Sequence, residues 1–130
     1  MFEIEVEEAI DGRRLRSERS VRAIIEAALA LQAEGMLVPT AQQISDRAGV
    51  GIRSFFRHFE DMESLFAAVD VKIRDSYEAL FLGGERDGSI EERIERAVIR
   101  RSEAFESVNN VMQGTLVQLW RYEVLRKHYA

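Results

Sequence analysis

The sequence has no cysteine, one proline and two histidines in 130 residues. The absence of cysteine excludes disulfides, a thiolate nucleophile and a cysteine-based zinc site. His58 and His128 are isolated from each other, and no histidine and acidic residues cluster with the spacing of metal ligands. No glycine-rich loop of the phosphate-binding type is present. The sequence therefore predicts no catalytic residue, no metal site and no cofactor, and we expect the protein not to be an enzyme.

Long hydrophobic runs are also absent. No apolar segment approaches the ~18 residues that a membrane-spanning helix needs. The N-terminal stretch MFEIEVEEAIDG is acidic, whereas a secretory signal begins with basic residues followed by an apolar run. We therefore expect a cytoplasmic protein with no membrane partner.

Charge is distributed unevenly along a chain whose formal net charge is −5. Between Arg13 and His58 eight arginines stand against four acidic residues, whereas the segments on both sides are acidic. A basic block in an acidic chain indicates a surface that binds a polyanion. A solvated face that bears arginines is equally compatible with this distribution.

Apolar residues recur at helical spacing through most of the chain, and no segment alternates as a strand would. The first stripe consists of Val21, Ile24, Ile25, Ala28 and Leu29. Gly35 ends that helix. These patterns predict an all-α fold.

Two short helices follow. Thr40 and Gln43 have the spacing of a capping box and open a second helix, which Gly49 ends. Gly51 can begin a third helix that runs to about His58. Two short helices joined by a tight glycine-bearing turn, after a stabilising helix, form a helix-turn-helix, whose second helix enters the major groove of DNA. A purely structural helical hairpin has the same geometry.

Three more helices are predicted in the second half. We expect the fourth over residues 61–82, followed by a glycine-rich linker at 82–89. A capping box opens a fifth helix at Ser89, and the pair at residues 109–110 (NN) ends it. The last helix is expected over residues 111–129.

The third helix separates a cationic side from an apolar side. Arg53 and Arg57 lie four residues apart with Ser54 beside them, and arginine can bond guanine bidentately or clamp a phosphate. Phe55 and Phe59 lie four apart on a different face, where packing residues belong. We predict Arg53 as the base-reading residue, with a solvent-exposed arginine of no function as the alternative.

Residues 20–69 resemble the DNA-binding domain of the tetracycline-repressor (TetR) family. The matching elements are the "IIEAA" helix, the glycine at its end, Thr40, "ISDRAGV", "FFRHF", and "DMESL" at the start of the fourth helix. The resemblance implies a dimer of all-helical subunits with a three-helix DNA-binding head on a larger domain that binds an effector and dimerises. It assigns residues 1–19 to a flexible arm, 20–66 to the head, and 67–130 to an incomplete effector-binding and dimerisation region.

Within this resemblance, we expect a double-stranded DNA operator to be contacted by the helix-turn-helix. The candidate DNA-binding residues are Thr40, Gln43, Gly51, Ile52, Arg53, Ser54, Phe56, Arg57 and His58. Phe56 is also a candidate core residue beside Phe55. Gly51, Phe56 and Met62 stand where the family often has serine, tyrosine and lysine, so three phosphate-binding groups are missing.

The C-terminal part carries a further set of apolar residues at helical spacing. The candidates for an effector pocket are Phe105, Met112, Leu116, Leu119 and Trp120. Ordinary helix packing explains the same spacing. We therefore expect a sequence-specific transcriptional regulator, a homodimeric repressor that a small hydrophobic effector releases from a palindromic operator. The alternative is a helical protein–protein interaction module that has kept the fold without specific DNA binding.

Overall fold

The computed structural model describes the backbone of residues 2–82 and 84–129 and the side chains of residues 11–77 and 84–129. This part of the chain has six helices and no strand, which confirms the all-α class. The helices are α1 (Phe2–Ala33), α2 (Ala41–Ala48), α3 (Ile52–His58), α4 (Met62–Leu82), α5 (Ile90–Leu119) and α6 (Glu123–Tyr129). None of these helices combines the length and apolar character that a bilayer crossing requires.

Local capping sets the ends of α2 as predicted. The Thr40 hydroxyl accepts a hydrogen bond from the Gln43 N–H at 3.2 Å, and Gln43 Oε1 accepts one from the Thr40 N–H at 2.9 Å. Gly49 ends the helix at φ 71°. This left-handed conformation is unfavourable for a residue that has a Cβ, whereas glycine adopts it freely. This conformation turns the chain into α3 within three residues.

The core of the head lies where α1, α2, α3 and α4 meet. Fully buried side chains come from all four helices: Ile24, Ala28, Ile44, Phe55 and Leu65. The Phe55 and Phe59 rings, whose centroids are 6.1 Å apart, form the aromatic part of this core. The prediction that these two phenylalanines pack inside the head is confirmed.

The predicted break at residues 109–110 is wrong, because α5 continues through both asparagines to Leu119. Asparagine in a helix costs only about 0.7 kcal/mol relative to alanine. The Asn110 side chain offsets this cost by donating to the Ala33 carbonyl at the end of α1, at 2.8 Å. Val111 is buried, so tertiary packing holds the helix together here. The chain instead turns at residues 120–122, before α6.

The segment predicted as a flexible arm is instead helical, because α1 begins at Phe2. The segment contains no proline, and its one glycine, Gly12, costs a helix only about 1 kcal/mol. Arg14 pairs with Glu18 one turn later, at 3.3 Å. Residues 17–26 of α1 line a groove with Lys72, which lies about 15 Å along α4 from its first residue.

Helix α6 packs along the first two turns of α4. Glu63 accepts a hydrogen bond from the Val124 N–H at 3.2 Å, and Phe66 stacks on Tyr122 with centroids 6.1 Å apart. Two turns further on, the buried Asp70 carboxylate accepts a hydrogen bond from the Tyr129 hydroxyl at 2.7 Å. His128 Nδ1 lies 2.7 Å from the other oxygen of the same carboxylate. Helix α4, which follows α3, is thus tied to both ends of α6.

The ionisation of Tyr77, a half-buried residue of α4, is expected to make the stability of the protein depend on pH. Burial, and secondarily the Asp70 carboxylate, raise the pKa of Tyr77 to about 12. Because the pKa in the unfolded chain is about 10, the neutral phenol favours the folded state below about pH 10. This stabilisation is lost as the pH rises through about 12. We expect the free energy of unfolding to fall between these pH values by less in Tyr77→Phe than in the wild type, as measured by urea denaturation. Equal falls would contradict the assignment.

Candidate nucleic-acid interface

The candidate recognition helix is α3, and its N-terminal cap is open. Gly51 caps the helix with extended backbone (φ −71°, ψ 153°) and provides no side-chain hydrogen bond. No heavy atom lies within 4 Å of the position that a Cβ on Gly51 would occupy. The space beside the Gly51 cap is therefore open among the described residues, and a helix N-terminus favours an anion.

The two sides of α3 differ as the sequence predicted. Phe55 is fully buried, whereas Arg53 and Arg57 are exposed. Ile52, Ser54 and His58 are half-buried at the boundary between the two sides. The packing of one side in the core thus fixes the direction in which the arginines point.

Phe56 does not belong to the core. Its side chain is 46% exposed, and its ring meets Phe55 edge-on, with centroids 5.0 Å apart. The alternative interpretation of Phe56 as a core residue is therefore wrong. The ring lies on the exposed surface of α3, with Arg53 and Arg57.

Ion pairing divides the arginines of the head into two groups. Arg47 binds both carboxylate oxygens of Glu34, at 2.6 and 2.9 Å, and the hydrogen bonds from Arg47 hold the pKa of that carboxyl below its usual value. Arg53 and Arg57 make no ion pair with any side chain that the structure describes. Arg47 has a structural role, whereas the α3 arginines are available to an external anion.

Thr40 and Gln43 are exposed at the start of α2, and both have a structural role already. The Thr40 hydroxyl accepts from the backbone, and so does the Gln43 amide oxygen. The Gln43 Nε2 donors and the first N–H groups of α2 are the groups that a phosphate could still use. The nine predicted residues therefore lie on two short helices that share one turn.

The five predicted effector residues do not surround one another. Phe105, Leu116 and Trp120 are exposed in the isolated chain, by 62%, 57% and 74%. Met112 and Leu119 are half-buried. The buried side of α5 consists of other residues: Ala104, Val111, Gly114, Thr115 and Gln118. Effector contact at the five predicted residues stays a prediction.

A buried polar contact between the head and α5 was not predicted. The side-chain amides of Gln32 and Gln118 both donate to the Leu37 carbonyl, each at 3.3 Å. Both glutamines are only 1% exposed. Gly114 lies at the same place, since a Cβ there would be 2.7 Å from the Leu37 oxygen. The sequence signal was a glycine and a glutamine on the buried face of a long helix.

Comparison with known proteins agrees with this geometry. Residues 24–69 match the family model of bacterial regulatory proteins of the tetR family. No curated protein and no solved structure gave a significant match. The matched segment begins in the buried half of α1, contains α2 and α3, and ends at Val69 in α4. Residues 24–69 therefore form the N-terminal helix-turn-helix DNA-binding domain that is typical of the tetR family of bacterial regulatory proteins.

Proposed function

We propose that the protein is a repressor that binds a palindromic operator as a homodimer and is released by a small effector. The observation that carries the proposal is the pair of exposed arginines on α3, which make no ion pair with a described side chain and are directed outward by the buried Phe55. In a symmetric dimer, two copies of α3 enter successive major grooves about 34–36 Å apart.

The residues of the interface have different roles in this proposal. Arg53, near the start of α3, reads a base edge, and Arg57, one turn later, binds a phosphate. Ser54 and His58 reach the backbone at the two ends of the same side. The open N-termini of α2 and α3 bind phosphates through main-chain N–H groups at Thr40–Gln43 and Gly51–Ile52. Phe56 contacts the DNA through its exposed ring.

Replacing Arg53 with alanine tests base reading. We expect operator affinity to fall by about 1–3 kcal/mol, and sequence preference to relax at one position of each half-site. The measurement is a binding titration against the operator and a set of single-base variants. Arg14→Ala is the matched control, since Arg14 is an exposed arginine on α1 that pairs with Glu18. An unchanged preference with a smaller salt dependence would assign Arg53 to a phosphate instead.

The alternative function is an interaction module without specific DNA binding. The residues that favour it are Gly51, Phe56 and Met62, which lack hydroxyl or ammonium groups for phosphates. Titration with DNA from beside the gene, compared with random DNA over a range of salt, separates the two functions. The proposal predicts preference for the first DNA and a steep fall in affinity with salt. No preference and no salt dependence would support the interaction module.

The contact at Leu37 supports control by an effector. Helix α5 reaches the loop before α2 through Gln118, while α6 is tied to α4 just after α3. A ligand that shifts α5 therefore acts on the start of the helix-turn-helix, and one that shifts α6 acts on its end. Such a shift changes the separation of the two heads in a dimer, and so their fit to successive grooves.

A further inference from the structure

The first half of α5 borders a groove that the predicted sites do not include. The groove has a volume of about 870 Å³ and lies between the segment 84–86 and α5. Five arginines and two glutamates line it, with isoleucines between them. We call it the arginine groove; the lining residues on which the argument depends are Arg93, Arg101, Ile90 and Ile94. Its volume lies within the range of about 300–1,000 Å³ that is typical of small-molecule sites.

The arrangement of α5 produces this composition. Ile90, Arg93, Ile94 and Arg101 follow helical spacing and lie on one side of the helix. Ile90 is 73% exposed and Ile94 58% exposed, so this side presents apolar surface with guanidinium groups beside it. Four acidic residues of the same segment do not line the groove: Asp87, Glu91, Glu92 and Glu95. With five arginines against two glutamates, the groove is cationic in an acidic chain.

One arginine holds the wall in place, whereas others are available. Arg96 pairs with Glu85 at 3.3 Å and donates to the Asp87 carbonyl, which attaches the segment before α5 to the helix. Arg93 and Arg101 make no ion pair with a described side chain. A guanidinium that is not paired within the protein can bind a carboxylate or phosphate bidentately.

We propose that the arginine groove binds an anionic amphiphile, with its carboxylate or phosphate on Arg93 or Arg101 and its apolar chain on Ile90 and Ile94. A second copy of this chain is a poor occupant, because a symmetric contact would place each cationic groove against the other. An uncharged apolar ligand offers no anionic partner to the guanidinium groups of Arg93 and Arg101. Only an occupant that is both anionic and apolar satisfies the two kinds of lining residue.

The proposal deepens the proposed function, because it gives the chemical class of the effector. It rests on that function only for the release of DNA, since binding to the groove is measured without DNA. Loss of operator binding would leave ligand binding intact, and absence of ligand binding would leave operator binding intact. The two failures are therefore distinguishable.

The test is calorimetric titration of the full chain with decanoate, below the concentration at which decanoate forms micelles. Decanol and inorganic phosphate are titrated in parallel. We expect decanoate to bind, and decanol and phosphate each to bind at least about ten-fold more weakly, since each satisfies only one part of the groove. We also expect the double variant Arg93→Gln, Arg101→Gln to weaken decanoate binding about ten-fold.

The matched control is Arg13→Gln with Arg16→Gln, which removes two exposed arginines from α1. This control is expected to bind decanoate as the wild type does. Equal binding of decanol would show that the groove is only an apolar surface, and equal binding of phosphate that it is only a charged one. Either result would overturn the proposal. A dimer in solution that protects the groove and excludes decanoate would also overturn it.

Discussion

Replacing Phe55 with alanine is expected to lower the free energy of unfolding by about 3–5 kcal/mol. Phe55 is fully buried among side chains from all four helices of the head, and its ring contacts Phe56 and Phe59. Truncation removes apolar contact and leaves a cavity that the helices cannot close without moving. Because a domain has only about 5–15 kcal/mol of stability, α3 is expected to lose its position. Urea denaturation followed by circular dichroism measures the change.

The neighbouring residue provides the control. Phe56 has the same side chain one position later, but it is 46% exposed. Phe56→Ala is expected to change the free energy of unfolding by less than about 1 kcal/mol. Equal losses for the two variants would show that α3 is not oriented as described. If the stability of Phe56→Ala is unchanged, any effect of this substitution on operator affinity indicates that the Phe56 ring contacts DNA.

The ends of α2 could be predicted because they depend on neighbours in sequence. The Thr40–Gln43 capping box joins residues three apart, and the left-handed turn at Gly49 needs only the glycine itself. The Phe55 and Phe59 spacing likewise specifies one face of a single helix. Each of these features is decided within one turn, so local sequence carries the information.

The sequence-based predictions were wrong where contacts between distant residues determine the structure. The helix continues through Asn110 because that side chain reaches the Ala33 carbonyl, 77 residues earlier in the chain. Asp70 meets His128 and Tyr129 across 58 and 59 residues. A weak local preference such as that of asparagine is easily outweighed by such contacts, and no spacing rule indicates them.

The site shows the same division. Composition identified a basic block, but it treated all the arginines in the block alike. The structure separates them, because Arg47 is paired with Glu34 across 13 residues while Arg53 and Arg57 are not paired with a described side chain. Pairing is a tertiary property, and it determines which guanidiniums can bind DNA.

Gly114 is the second position where a small change is expected to have a large effect. A Cβ there would lie 2.7 Å from the Leu37 carbonyl oxygen and 2.8 Å from Gln32 Nε2. The main-chain oxygen cannot move without shifting the loop before α2. Gly114→Ala is therefore expected to lower the free energy of unfolding by about 1–3 kcal/mol, the usual cost of overpacking, as measured by thermal and urea denaturation.

The control for this variant is the same substitution in α1. Gly12 is also inside a helix, but the nearest atom to its missing Cβ is a flexible arginine tip at 4.0 Å. Gly12→Ala is expected to raise the free energy of unfolding by about 0.5–1 kcal/mol, because alanine favours helix over glycine. The same substitution at two helical glycines should thus change the free energy of unfolding in opposite directions. If Gly114→Ala also stabilised the protein, α5 would not approach the Leu37 loop closely, and the route by which α5 acts on the helix-turn-helix would be lost.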